Sequence, residues 1–267
     1  MAKLGVIHYN FPTLPTLSEY LQYAADTGFG YVELQCGDVG TDTADNPKSV
    51  AEAVRREIDS LGLQVSAFAA NNDFVLLEEE AIQQQVERMR RVCELAQILG
   101  CDVIRTEGGR PKDEVPENRH VEAMTGCLKR CAGFAEDMQI KLAVDNHGVV
   151  TNDGDLQVAL FQAVGSKFVG ANVDTLNYRW MGHSIEAINR FYEIVAPYAF
   201  HTHMKDGTGC RGEYVGAALG EGEINLAHAV KCLKDAGYDG VWCAEYEGRE
   251  VTTLGYAKCL DWMKANI

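Results

Sequence analysis

The stretch EEAIQQQVERMRRVCELAQILGCDVIRTEGG, residues 79–109, contains in one piece the unit from which the chain is built. Apolar residues recur at helical spacing up to Leu99, and Gly100 follows in the place of a helix C′ cap. Directly after it DVIRT reads as a short buried strand, followed by a polar residue, Glu107. The same alternation runs outward to both ends of the chain. Strand segments are KLGVIH, YVEL, QVSAF, DVIRT, KLAVD, FVGANVD, AFHTHM and GVWCAE. Between them lie amphipathic segments, among them residues 15–28, 47–62, 79–100, 117–138 and 225–237, several closing on glycine at Gly28, Gly62, Gly100 and Gly237. Strands and helices alternating eight times in 267 residues match a (β/α)8 TIM barrel, for which about 250 residues is typical. An open, doubly wound sheet is the competing arrangement, but no G-x-G-x-x-G follows the first strand. The expectation is an α/β chain forming one barrel domain over residues 1–267.

Composition narrows the partners. A net charge of −15 lacks the surplus of lysine and arginine that binding a nucleic-acid backbone requires, so a small molecule is the expected ligand. No run of residues is long and apolar enough for a membrane span, and the first ten residues, MAKLGVIHYN, do not read as a signal peptide. A cytoplasmic location is expected. Nine cysteines occur without any C-x-x-C pair and read as reduced apolar fillers.

In a barrel the chemistry gathers where strands end and the following loops begin. Those ends carry His8, Glu33 and Glu107, then Asp145–Asn146–His147, Asp174, His201 and His203, and last Glu245 and Glu247. If strands five to eight point their last residues into the mouth, Asp145, Asp174, His203 and Glu245 converge. Three carboxylates and an imidazole packed together repel one another and raise one another's pKa, and a divalent cation resolves the conflict. Donors of this kind, oxygen and nitrogen without sulfur, suit Mn²⁺, Mg²⁺ or Co²⁺ and leave Zn²⁺ open.

The pieces GFGYVELQ, LGCDVIRTEGG, LAVDNHG, VGANVDTLN, HTHMKDG, LGEGEINL and GYDGVWCAEYEG occur in an order and spacing that resembles the sugar phosphate isomerase/epimerase family, the xylose-isomerase-like TIM barrels. The resemblance runs over nearly the whole chain. It implies one divalent ion, with Mn²⁺ foremost, held after strands five to eight, and it places Asp174, His203 of H-x-K-D and Glu245 at three of the ligand positions. Asp145 stands where the family usually has the Glu of E-N-H. Because Asp is one methylene shorter, His147, two residues on and on the same side of the strand, is the alternative general base beside Glu245 and Asp145. Asn177 replaces a His that binds substrate in many of the family's epimerases. Glu107, His201, Lys205 and Arg211 are the candidates for substrate contact, with residues 206–216 forming a flexible lid loop over the site and Trp180 and Phe74 as aromatic partners.

The expected activity is isomerisation or epimerisation of a sugar, keto-sugar or cyclitol through proton removal beside a metal-chelated carbonyl. A lyase or dehydratase acting on a keto-sugar or inosose, including a C-glycoside-cleaving subunit, shares that first step. A non-catalytic sugar-binding subunit is a third reading. A homo-oligomer is expected on family grounds. An endonuclease of the related three-metal type is disfavoured by Asn177 and by the charge.

Overall fold

The computed structural model describes residues 2–14 and 16–267; Met1, the first residue of the segment read against a signal peptide, and Pro15, the first residue of the predicted helix 15–28, lie outside them. In chain order the strands are β1 (Lys3–Ile7), β2 (Tyr31–Gln35), β3 (Gln64–Ala69), β4 (Val103–Thr106), β5 (Lys141–Asp145), β6 (Val169–Asp174), β7 (Ala199–Met204), β8 (Asp206–Thr208), β9 (Val215–Ala217) and β10 (Val241–Ala244). All but β8 and β9 form a closed parallel barrel in which β10 follows β7 and pairs back onto β1. Helices α1 (Leu17–Thr27), α2 (Pro47–Ser60), α3 (Glu79–Leu99), α4 (His120–Asp137), α5 (Gly154–Val164), α6 (Asn177–Met181), α7 (Ile185–Val195), α8 (Leu226–Asp235) and α9 (Thr252–Asn266) occupy the connections. The fold is the TIM barrel that the alternation predicts. Among the described residues no helix is long and apolar enough to cross a membrane.

Local chemistry sets the element ends. Thr16 and Glu19 form a capping box at the start of α1, so two otherwise orphaned amides are satisfied. Gly100 ends α3 at φ 71°, a left-handed conformation that disfavours a side chain, and its N–H reaches the carbonyls of Ala96 and Gln97. That turn hands the chain directly to β4.

The main core lies between strands and helices. Where the barrel closes, Tyr20 donates its hydroxyl proton to the Val6 carbonyl at 2.7 Å, and Phe11 stacks on Tyr256 of α9 at 4.7 Å between centroids. Seven of the nine cysteines are buried, as expected of small apolar residues. Inside the barrel a separate cluster of small side chains, Ala67, Val103 and Ala143, packs with Phe200. Toward the C-terminal ends of the strands the interior becomes polar. Two bulges accompany that change: the register slips between Val32 and Glu33 against β3, and between Ala171 and Asn172 against β7. A bulge re-aims the side chains beyond it. Here it sets Asn172 opposite His201 and Asp174 opposite His203.

The segment read as a flexible lid is instead a hairpin. Asp206–Thr208 pairs antiparallel with Val215–Ala217, and Gly209 and Gly212 take the positive φ values that its turn uses. The Asp206 carboxylate anchors it by accepting from the N–H groups of Gly207, Gly220, Gly222 and Ile224 at 2.8–3.2 Å. The Asp of H-x-K-D and the glycines of L-G-E-G-E-I are therefore two halves of one clamp.

Candidate functional site

Three of the four residues expected to converge do so. Asp174 at the end of β6, His203 in β7 and Glu245 just after β10 place one ligand atom each within 4.8 Å of the others, and all three are buried. His203 Nδ1 lies 2.9 Å from Glu245 Oε2 and 4.0 Å from Asp174 Oδ2. Asp174 Oδ1 is occupied, accepting from the N–H groups of Leu176 and Asn177 at 2.8 and 2.9 Å. Asp174 Oδ2 and His203 Nδ1 are buried and lack hydrogen-bond partners. Buried polar atoms rarely go unpaired. Two such atoms beside a second carboxylate, Glu245, fit a divalent cation.

The charges agree. Glu33, Asp145, Asp174, Glu245 and Glu247 meet Arg105 and Lys205 as the permanent cations among the described residues. Burial pushes the Asp174 carboxyl up to about 7 against the pull of Lys205, with Glu245 and Asp145 adding to the rise. Glu245 stays well below the carboxylate range because Lys205 and His203 outweigh the effect of burial. His203 is likewise held well above its ordinary value: burial opposes protonation, but Glu33 and Glu245 prevail. A cation between Asp174 and Glu245 removes the penalty that burial places on Asp174.

Asp145 does not join the cluster. Its Oδ2 accepts from Arg105 Nε and Nη2 at 2.8 and 2.6 Å, and its Oδ1 accepts from Asn172 Nδ2 at 2.9 Å. Both oxygens are engaged in a fully buried ion pair, so the four-residue convergence read from the strand ends becomes a three-residue one. The sequence signal for this was Arg105, which the strand pattern places in β4 beside β5.

The other candidates distribute around the mouth. His147 is half-exposed, with Nδ1 3.8 Å from Asp145 Oδ2. Lys205 is buried, with Nζ 2.9 Å from Glu245 Oε1 and 3.0 Å from Glu247 Oε2. Burial works against its charge, yet Glu245, Asp174 and Glu247 hold it well above the usual lysine value, so it remains an ammonium donor. Glu107 stands on the wall, 3.8 Å from Arg105 Nη2. Arg211 is exposed on the hairpin turn; its N–H donates to the Trp180 carbonyl at 2.7 Å and its guanidinium lies 5.8 Å from the centre of that ring. His201 departs from the substrate-contact expectation: 1% exposed, it lies beneath His203, with Nδ1 2.8 Å from Asn172 Oδ1. Burial pulls it down to about 4, which keeps it neutral. Phe74 is also fully buried.

Two residues at the mouth had been given no role from sequence. Glu247 bonds Lys205 and accepts from the Tyr214 hydroxyl at 2.9 Å. Its place two residues beyond Glu245 was the available sign, since alternate residues face one side. Tyr214 comes from the hairpin, within the segment 206–216 that the sequence reading set over the site without singling this residue out. A cavity of about 170 Å³ is lined by His147, Gly148, Asn177, Trp180, Lys205 and Glu247. A larger one, about 570 Å³, opens at the opposite mouth near Lys3, Gln64 and Lys141. It contains none of the candidate metal-holding groups found among the described residues, which lie at the C-terminal mouth.

The sequence model of the family described as "Xylose isomerase-like TIM barrel" matches residues 21–266. The chain belongs to this family. A curated relative, an uncharacterized protein of Methanocaldococcus jannaschii, is 28% identical over 118 residues, covering 43% of this chain and 39% of its own length. The chain thus matches well under half of that relative. Among solved structures, the IolI protein with a bound zinc atom superposes with TM-score 0.80 at 17% identity, covering 99% and 96% of the two chains. D-psicose 3-epimerase of Clostridium cellulolyticum H10, solved with D-tagatose, gives 0.79 at 14% identity over 99% of each chain. At these identities the likeness speaks to the shared barrel.

Proposed function

We propose that this xylose-isomerase-like barrel is a divalent-metal-dependent isomerase or epimerase of a sugar, keto-sugar or cyclitol. The observation that carries the reading is the meeting of Asp174 Oδ2, His203 Nδ1 and Glu245 Oε2, two of them buried without partners. The likeness to the zinc-bearing IolI protein and to D-psicose 3-epimerase lends it support. These three residues would hold the ion, with manganese, magnesium, cobalt and zinc all compatible with oxygen and nitrogen donors. A divalent ion there supplies a Lewis acid that polarises a carbonyl and its neighbouring hydroxyl. Lys205 and Asn177 border the same space and offer donors to substrate oxygens. His147, half-exposed on the β5 side, and Glu245, three staves away after β10, are the groups placed to take and return the proton on carbon. Because Arg105 holds Asp145 back, passage of the proton between two carboxylates is disfavoured.

The test is proton exchange. The protein is stripped with EDTA, reloaded with Mn²⁺, Co²⁺, Mg²⁺ or Zn²⁺, and incubated in D₂O with a panel of ketoses and inososes. Deuterium entering beside the carbonyl only after reloading is the expected result. Exchange undiminished by EDTA, or no metal retained by the wild-type protein, would overturn the reading. Loss of a β-substituent together with exchange would move the activity to the dehydratases.

A further inference from the structure

We propose that Glu33, which lies outside the cluster of metal-holding atoms described above, is a positioning residue for His203 and decides which ring nitrogen faces the metal. The inference rests on the metal reading. Glu33 is fully buried on β2, across the barrel interior from β7, and its Oε2 lies 2.7 Å from His203 Nε2. A neutral imidazole has one N–H and one lone pair, while an ionised carboxylate can only accept. A His203 that holds a metal ion is neutral, so its one proton would belong on Nε2 against Glu33 and the lone pair of Nδ1 would face the ion beside Asp174 and Glu245. Cys243 also comes near Glu33 and His203. The Glu33–His203 Nε2 contact meets hydrogen-bond geometry, whereas His203 Nδ1 beside Glu245 has no hydrogen-bond partner, so this second group reads as a carboxylate–imidazole pair and not as another metal site.

Glu33 is itself held. Its Oε1 has no hydrogen-bond partner but lies 4.0 Å from Arg105 Nε. Arg105 is fixed by Asp145, Asp145 by Asn172, and Asn172 Oδ1 by His201 Nδ1. His201 in turn stands 3.6 Å from Glu33 Oε2. A polar belt thus crosses β2, β4, β5, β6 and β7 beneath the mouth. Branched aliphatic residues ordinarily fill the interior of such a barrel. Burying ion pairs instead is neutral or unfavourable for stability, so stability alone does not account for the belt. Orientation of His203 does.

The experiment titrates the apo-protein with Co²⁺ alone and records the nitrogen spectrum of His203 in the Zn²⁺-loaded protein. Glu33→Ala should weaken Co²⁺ binding about 10–100-fold, the range found when a ligating histidine loses its outer partner, and should abolish the protected Nε2 proton. Glu33→Gln still offers an acceptor to Nε2 and should restore that proton and most of the affinity. Should the alanine variant fail to fold, Glu33→Met, closer in volume, takes its place. A variant without an acceptor that binds Co²⁺ as tightly as wild type and keeps His203 ligated through Nδ1 would overturn the inference while leaving the metal centre standing. Failure of the wild-type protein to bind Co²⁺ or Zn²⁺ would overturn both.

Discussion

Replacing Asp145 with Asn removes one charge from the barrel interior and leaves the shape almost unchanged. In the wild-type protein the carboxylate takes two hydrogen bonds from Arg105 at 2.6 and 2.8 Å, with both side chains buried. Breaking a buried pair by removing one partner costs about 3–5 kcal/mol, because the remaining charge is left uncompensated. Asn keeps an oxygen that Arg105 can still bond, a net contribution of about 1 kcal/mol, but its amide cannot satisfy Arg105 and Asn172 together. Nearby Glu33 and Glu107, at 4.0 and 3.8 Å, absorb some of the guanidinium's charge. The expected loss is about 2–4 kcal/mol. For a chain of this size that is roughly 5–15 °C in melting temperature, read by calorimetry on the EDTA-treated protein so that metal linkage does not enter. Metal stoichiometry, measured by plasma mass spectrometry after reloading, should remain at about one ion per chain, whereas His203→Ala should lose it. A melting temperature within about 2 °C of wild type, together with loss of the metal, would refute the reasoning. Asp145 would then be a ligand after all, released from Arg105 when the ion binds.

Further outcomes follow from other contacts. His147→Ala should retain metal and fold but slow carbon–proton exchange by about 10²–10⁴-fold, the usual range for a lost general base; an unchanged exchange rate would leave Glu245 as the sole base. Asp206→Ala removes the acceptor of four backbone amides, so hydrogen exchange should accelerate across residues 206–224 while Co²⁺ affinity stays close to wild type. At the surface, hydrogen bonds from Arg88 hold the Asp42 carboxyl below its ordinary range. A carboxylate with a depressed folded-state pKa contributes stability above its unfolded pKa and loses that contribution as pH falls through the folded value. Asp42→Asn should therefore lower the stability slightly at pH 7, by under about 1 kcal/mol since the pair is partly solvated, read as a small drop in melting temperature, and the difference should vanish in acid below the depressed pKa.

Most of the barrel was legible in the sequence because its periodicities are local. Each of the eight strand segments became a barrel strand, and Gly28 and Gly100 ended helices where a left-handed residue was needed. The lid was misread because a glycine-rich segment with few apolar residues looks unstructured until Asp206 gathers its amides. The partners of the metal-facing atoms were harder still. Glu33 and His203 are far apart in the chain, yet they meet at 2.7 Å across the barrel interior.

By itself the sequence pointed to an acidic α/β barrel with Asp174, His203 and Glu245 at or just beyond the ends of successive strands, since the periods of strand and helix are local. Only the tertiary structure decided that Asp145 pairs with Arg105, that His201 lies beneath His203, and that Glu33 meets His203. Those outcomes depend on barrel closure and on two bulges in strand register, and a one-residue shift of register turns a side chain from one face to the other.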